Sequence, residues 1–173
     1  MNTSSRRAFI KNAALASSMA VAPNLISCKE EHPQPILKGY KPQILSTWNH
    51  GMPANDKAWE ILQKTGNIID AVEQGVKVTE SDPDNLSVGL QGLPDREGIV
   101  TLDASIMVGD GRCGSVCFVR QIKHPISLAR RVMENTPHVM LAGAGALQFA
   151  QEEGFLLEPE TLSPKAREAY EAW

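Results

Sequence analysis

Trp48, Asn49 and His50 stand together in the stretch Ile-Leu-Ser-Thr-Trp-Asn-His-Gly over residues 44–51. An indole, an amide and an imidazole supply an apolar wall, a two-way hydrogen-bonding group and a titratable base within three residues. A large ring at the mouth of a strand is an odd choice where a small residue would turn more easily. Other groups with chemical potential are dispersed. The hydroxyls of Ser46, Thr47 and Ser87 have no general base beside them in sequence, so no nucleophile declares itself. Asp95 and Asp103 could serve as acid and base, but aspartates in an Asp-rich stretch read first as turn and cap residues. His50, His124 and His138 are scattered, and neither H-E-x-x-H nor C-x-x-C occurs, which argues against a metal centre. The string GAGALQ carries two glycines of a dinucleotide loop but lacks the third and an acidic ribose partner, so it reads as helix packing. Cys113 and Cys117, if both lie on one strand, are about 13 Å apart, beyond disulfide reach, and read as free buried thiols.

These groups need elements to hold them. Ile44 and Leu45 read as the opening of a first strand. Asn55-Asp56 offers a helix N-cap, Ala58, Ile61 and Leu62 share a face, and Gly66 ends the helix. Ile69, Val72 and Val76 mark a second helix, with Gly75 inside it, a placement best explained by close packing on a neighbour. A long loop rich in Gly, Pro, Asp and Asn follows over residues 81–98. Two strands joined by a Gly-Asp-Gly turn come next, in IVTLDASIMV and SVCFVRQI. ISLARRVMEN is helical, with Ile126, Ala129, Val132 and Met133 as its stripe. HVMLAG is a short strand, and ALQFAQEE is a helix stopped by Gly154. Ser163 caps a last helix with Pro164 in its first turn. Interleaved strands and helices place the chain in a mixed α and β class.

The chain has 173 residues, enough for one domain with a real core, and 42 % hydrophobic content with 21 % charge fits a soluble globular protein. A net charge of −3 argues against a nucleic-acid binder. Residues 1–27 read as an export signal. Arg6-Arg7 followed by Ala8, Phe9, Ile10 and Lys11 is similar to a twin-arginine leader, and Leu25-Ile26-Ser27-Cys28 is similar to a lipobox that would place a lipid anchor on Cys28. The alternative is an ordinary signal peptide cut elsewhere, with Cys28 incidental. Removing residues 1–27 takes away Arg6, Arg7 and Lys11 and no acid, so the charge falls to −6. Residues 28–42, with three prolines and several charges, read as a tether. The expected location is outside the bacterial inner membrane, periplasmic or anchored at a membrane surface.

Six strings occur in order: LSTWN, IDAVEQGVKVTESDP, SVGLQGLPD, TLDASIM, IKHPISLARRVMENTPHVML and GALQFAQEEGF. Together, over about residues 43–173, they make the chain resemble the glycosylasparaginases, the N4-(β-N-acetylglucosaminyl)-L-asparaginases also called aspartylglucosaminidases. The resemblance implies an α+β N-terminal-nucleophile hydrolase, a four-layer αββα sandwich of which this chain holds the N-terminal portion. It implies a precursor that cuts itself to expose a threonine as the first residue of a β chain, and this sequence resembles the α chain. That threonine, with its own α-amine as base, would attack the side-chain amide of a glycoasparagine, without metal or cofactor. The family places the tryptophan of LSTWN and the serine of SVG at the active site, so Trp48 and Ser87 are the expected site residues. The β chain, a second αβ pair and the glycoasparagine substrate are the expected partners.

The sequence departs from the family in three places. Leu90-Gln91 stand where a small flexible pair is usual, Val108 stands where an aspartate often follows Ile-Met, and the chain stops at Trp173 before a His-Asp pair, which reads as truncation. A sibling asparaginase or isoaspartyl peptidase of the same fold is the rival activity, and the STWN string favours the glycosylated substrate. A truncated, non-catalytic surface lipoprotein is the alternative of another class, although half a sandwich would leave apolar faces exposed.

Overall fold

The computed structural model describes residues 41–173. The export signal, Cys28 and nearly all of the 28–42 tether lie outside the described residues. Gln43–Trp173 forms one compact unit. Its elements are α1 (Gly51–Thr65), α2 (Ile68–Glu80), β1 (Leu102–Met107), β2 (Cys113–Val119), α3 (Pro125–Asn135), β3 (Leu141–Ala142), α4 (Gly143–Glu152) and α5 (Pro164–Ala172). None of the described helices is long and apolar enough to cross a membrane.

The sheet has the order β1-β2-β3, antiparallel between β1 and β2 and parallel between β2 and β3. The Val108–Arg112 turn closes the hairpin, with the Val108 and Arg112 backbones bonded at 3.0 Å. Leu102 opposes Val119 while Ala104 opposes Val116, so β2 carries one extra residue there, a bulge. Phe118 sits at φ 54, an uncommon conformation for a residue with a Cβ. Its N–H is bonded to the Asp103 carboxylate at 2.7 Å, which satisfies the donor that the bulge removes from the ladder. Asp95 accepts from the N–H groups of Glu97 and Ile99 and closes a turn. Both aspartates thus serve the backbone, as the plainer reading of the sequence held.

One face of the sheet is buried through Leu102, Ile106, Val116 and Val119 under α3, which contributes Ile126, Leu128, Ala129, Val132 and Met133, and under α4, which contributes Ala146 and Ala150. The expected α3 stripe is the buried one. GAGALQ forms the start of α4 and places Ala146 in the core. The other face, with Ser105 opposite Ser115 and Met107 opposite Cys113, is open in this chain. Cys113 and Cys117 are free and half-buried there rather than fully buried.

Three expectations fail locally. Ile44 and Leu45 form no strand, and Leu45 is 90 % exposed. A strand needs a neighbour to pair with, and none of the described strands lies beside these residues. The first helix starts at Gly51 and not at Asn55, because Pro53 falls within its first turn, where no N–H is required. Val72 is exposed, while Ala71, Gly75 and Thr79 form the buried line of α2. Small residues let α2 approach α1 closely, so the packing line follows Ala-x-x-x-Gly and not the larger aliphatics. A Cβ at Gly75 would lie 2.8 Å from the Ala54 carbonyl oxygen and 3.0 Å from the Ala58 Cβ, which is the close packing expected of that glycine.

Gly114 makes the tightest approach between sheet and helix. A Cβ there would stand 2.2 Å from the Ala129 carbonyl oxygen and 2.5 Å from the Met133 nitrogen. These are backbone atoms of α3 and cannot rotate aside. Gly114→Ala is expected to destabilise the protein by about 2–3 kcal/mol, read as a lower urea midpoint. Gly109→Ala, in open space at the hairpin turn, is the control.

Candidate active site

Two connecting segments meet at the C-terminal end of α2. The first, Ser46–His50, turns sharply into α1. Gly51 N–H bonds to the Trp48 carbonyl at 2.9 Å and Met52 N–H to the Asn49 carbonyl at 3.1 Å. The Ser46 hydroxyl donates to Asn55 Oδ1 at 2.6 Å and folds the segment back on the helix. The second segment leaves α2 at Ser81 and runs through Asp82-Pro83-Asp84-Asn85 to Ser87. Asn85 Oδ1 accepts from the N–H groups of Ser87 at 2.8 Å and Val88 at 3.2 Å, a local side-chain turn that fixes the backbone at Ser87.

Gly89 then passes against the end of α2 with φ 80. A Cβ there would lie 2.3 Å from the Glu80 carbonyl oxygen, so both its left-handed conformation and its contact require glycine. From the other side, α5 holds the same loop. Lys165 pairs with Asp84, and the Tyr170 hydroxyl donates to the Arg96 carbonyl at 2.8 Å.

The result is an open cleft of about 600 Å³ that has Trp48, His50, Asn85 and Ser87 in its lining. The two site residues expected from sequence, Trp48 and Ser87, lie in the same cleft although 39 positions separate them. Trp48 is 72 % exposed, so it is a wall residue and not part of the core. Its ring meets His50 edge-on, with centroids 6.3 Å apart and planes at 67°. Among the described residues the Ser87 hydroxyl has no hydrogen-bond partner and stands open to the cleft. Cys28 lies outside the described residues.

Glu80 and His124 were not singled out as a pair in the sequence. Glu80 is only 4 % exposed, and its carboxylate accepts the Ile126 N–H at 2.9 Å and stands 3.1 Å from His124 Nδ1. Burial raises the Glu80 carboxyl to about 7, against the opposing pull of the Ile126 N–H and Lys77. Burial also lowers the His124 imidazole to about 4, helped by Lys77 and Lys123. Both shifts favour the uncharged forms, a neutral carboxyl and a neutral imidazole, over an ion pair. No periodicity announces it, since 44 positions separate the two residues. A second, mixed-charge groove borders the pair. There Arg130 binds Asp70 at 2.6 Å and Glu73 at 2.7 Å through Nη1 and Glu134 at 2.8 Å through Nε, so three carboxylates surround its charge. Among the described residues no group of three acidic, histidine or cysteine side chains is placed to hold a metal ion.

With this geometry in hand, residues 45–173 match the protein family described as Asparaginase. The chain belongs to this family. It is 47 % identical over 170 residues to the N(4)-(Beta-N-acetylglucosaminyl)-L-asparaginase of Elizabethkingia miricola, a match covering 97 % of this chain and 49 % of that protein. It is 39 % identical over 143 residues to the mouse (Mus musculus) enzyme of the same name, covering 80 % of this chain and 40 % of the relative. It is 36 % identical over 146 residues to a plant-type L-asparaginase of Pyrococcus abyssi, covering 84 % and 42 %. The chain thus spans about half the length, or a little less, of the curated relatives it matches.

The Glu80–His124 pair makes a prediction with opposite signs for its two halves. A carboxyl raised in the folded state contributes stability present below about pH 4.5 and lost as the pH rises through 7. An imidazole lowered in the folded state contributes stability present above about pH 6.5 and lost as the pH falls through 4. In the wild-type protein the two slopes oppose between these limits. Glu80→Gln keeps an acceptor for Ile126 and leaves only the histidine slope, so stability is expected to rise from pH 4 to 6.5. His124→Asn leaves the carboxyl slope, so stability is expected to fall from pH 4.5 to 7. Urea midpoints measured across pH 4–8 separate the two.

Proposed function

We propose that this chain is part of an exported amidohydrolase that cleaves the bond between N-acetylglucosamine and asparagine in glycoasparagines. The single observation that carries the reading is the convergence of Trp48 and Ser87 on one open cleft, held from behind by the end of α2. The proposed nucleophile is a threonine that opens a β chain after self-cleavage. Its hydroxyl oxygen attacks the side-chain carbonyl carbon while its α-amine takes the proton. The C–N bond breaks, the glycosylamine leaves with that proton, and water then releases aspartate from the aspartyl ester. In this scheme Trp48 excludes water and walls the nucleophile, and the Ser87 hydroxyl accepts from the amine and aims its lone pair.

The four-layer arrangement belongs to the same proposal. The open sheet face carries Ser105, Ser115, Cys113 and Cys117 with the larger Met107, an uncovered face on which a second sheet would pack at about 10 Å. Ile44 and Leu45 would find a pairing partner in such an assembly. The β chain and a second αβ pair are the proposed partners, and no cofactor enters the scheme. Residues 1–27 are the proposed export signal, with a lipid on Cys28, 28–42 the tether, and 43–173 the hydrolase part.

The glycosylated substrate is favoured over free asparagine by the higher identity to the glycosylasparaginases, 47 % and 39 % against 36 % for the plant-type relative. The test is made on the protein expressed from its complete coding sequence. Aspartate release from N4-(N-acetylglucosaminyl)-asparagine is expected to exceed release from L-asparagine and from isoaspartyl dipeptides in kcat/KM. Trp48→Ala is expected to lower kcat about 100-fold, and Ser87→Ala about 10-fold or more. Preferential hydrolysis of an isoaspartyl dipeptide would replace the reading by that of the sibling peptidase. No hydrolysis of any of the three would leave the non-catalytic lipoprotein.

A further inference from the structure

The active-site reading above involves Trp48 and Ser87 but does not account for what lies between them. The Asn85 amide nitrogen stands 3.3 Å from His50 Nδ1. The oxygen of the same amide holds the N–H groups of Ser87 and Val88. An amide nitrogen only donates, so His50 accepts at Nδ1 and carries its proton at Nε2. The His50 carbonyl, in turn, lies 3.5 Å from the Thr79 hydroxyl on α2. The His50 ring is the edge-on neighbour of Trp48.

From this geometry we infer that His50 and Asn85 form a clip that fixes the Trp48 turn against the Ser87 loop, a pair of positioning residues for the site. The inference rests on the proposed glycoasparagine activity for its kinetic consequence. Neither residue needs to touch substrate. The first segment leads into α1 and the second joins α2 to β1, and such segments move unless side chains tie them down. Asn85 does this twice with one amide. Its oxygen shapes the Ser87 turn, and its nitrogen reaches across 35 positions to the histidine beside the tryptophan. Among the described residues neither Asp82 nor Asp84 is hydrogen-bonded to the ring. Asp84 is paired with Lys165, and the Asp82 carboxylate accepts the Asp84 N–H.

The test uses the protein expressed from its complete coding sequence. With N4-(N-acetylglucosaminyl)-asparagine, His50→Ala is expected to lower kcat about tenfold in the wild-type background and to change nothing in the Asn85→Ala background. KM and melting temperature are expected to move little with His50→Ala. His50→Asn, which returns an acceptor near the place of Nδ1, is expected to restore most of the kcat, whereas His50→Phe, which fills the space without an acceptor, is not. Additive losses, or equal rescue by Phe and Asn, overturn the clip. A substrate-free readout runs alongside. With every other tryptophan replaced by phenylalanine, the fast component of the Trp48 fluorescence anisotropy decay is expected to grow in His50→Ala and Asn85→Ala, and by no more in the double variant. An unchanged decay in both single variants overturns the clip even in an active protein. A changed decay in a protein without glycoasparagine hydrolysis overturns the proposed activity and keeps the clip.

Discussion

The Glu80 side chain accepts the Ile126 N–H at 2.9 Å and faces His124 at 3.1 Å from inside the protein, and everything the cleft needs is attached around that point. The carboxylate ties α2 to the start of α3, which is the helix that covers the sheet. The Glu80 carbonyl receives Gly89 at a distance that admits no side chain. One residue earlier, the Thr79 hydroxyl reaches the His50 carbonyl. The last turn of α2 is thus a joint to which the Trp48 turn, the Ser87 loop and the core are all fastened. Burying a carboxyl group without partners is costly, and here the cost is offset by the Ile126 N–H and the facing His124 imidazole.

Such a joint explains how a cleft built from connections can keep its shape. A loop residue such as Ser87 would otherwise sample many backbone states, each ordered residue costing about 1–2 kcal/mol. Its two nearest constraints, the Asn85 amide and the Gly89 contact, act within two residues on either side. Farther out, α5 adds Lys165 and Tyr170 on the same loop. The loop is long in sequence but short between its anchors.

Part of this was legible in the residues and part was not, and the division follows physical range. Local rules did well. Ser163 caps α5 through the Ala166 N–H, Gly66 ends α1, and the α3 stripe of Ile126, Ala129, Val132 and Met133 is the buried one. The strand at Ile44–Leu45 failed because strand formation is not local and depends on a neighbour that the described sheet does not provide. Val72 failed because small residues, and not large ones, decide where α1 and α2 meet. Trp48 and Ser87 were expected at one site through family resemblance and not through spacing. Composition alone would have put the indole in the core. Glu80, His124 and the His50–Asn85 contact join positions 35 or more apart and leave no periodic trace. The one signal available was Asn85 itself, an Asx residue two before Ser87, a pattern that predicts a side-chain turn.

The exposed ring answers the question that its position in the sequence raises. Trp48 could have been buried, and burial would have gained about 25 cal/mol for each Å² of apolar surface removed from water. The fold forgoes that gain and holds the ring at the rim by a turn whose backbone bonds are short and whose neighbour, His50, is itself anchored. A chain selected only for stability would have turned the indole inward or replaced it with a small residue. In the proposed enzyme, keeping it outward leaves an apolar wall for the β chain's nucleophile. The Ser87 hydroxyl, open on the same cleft, carries the same implication for a polar group. In the proposed enzyme, an apolar wall and a hydroxyl unpartnered among the described residues line one space for a nucleophile that neither of them supplies.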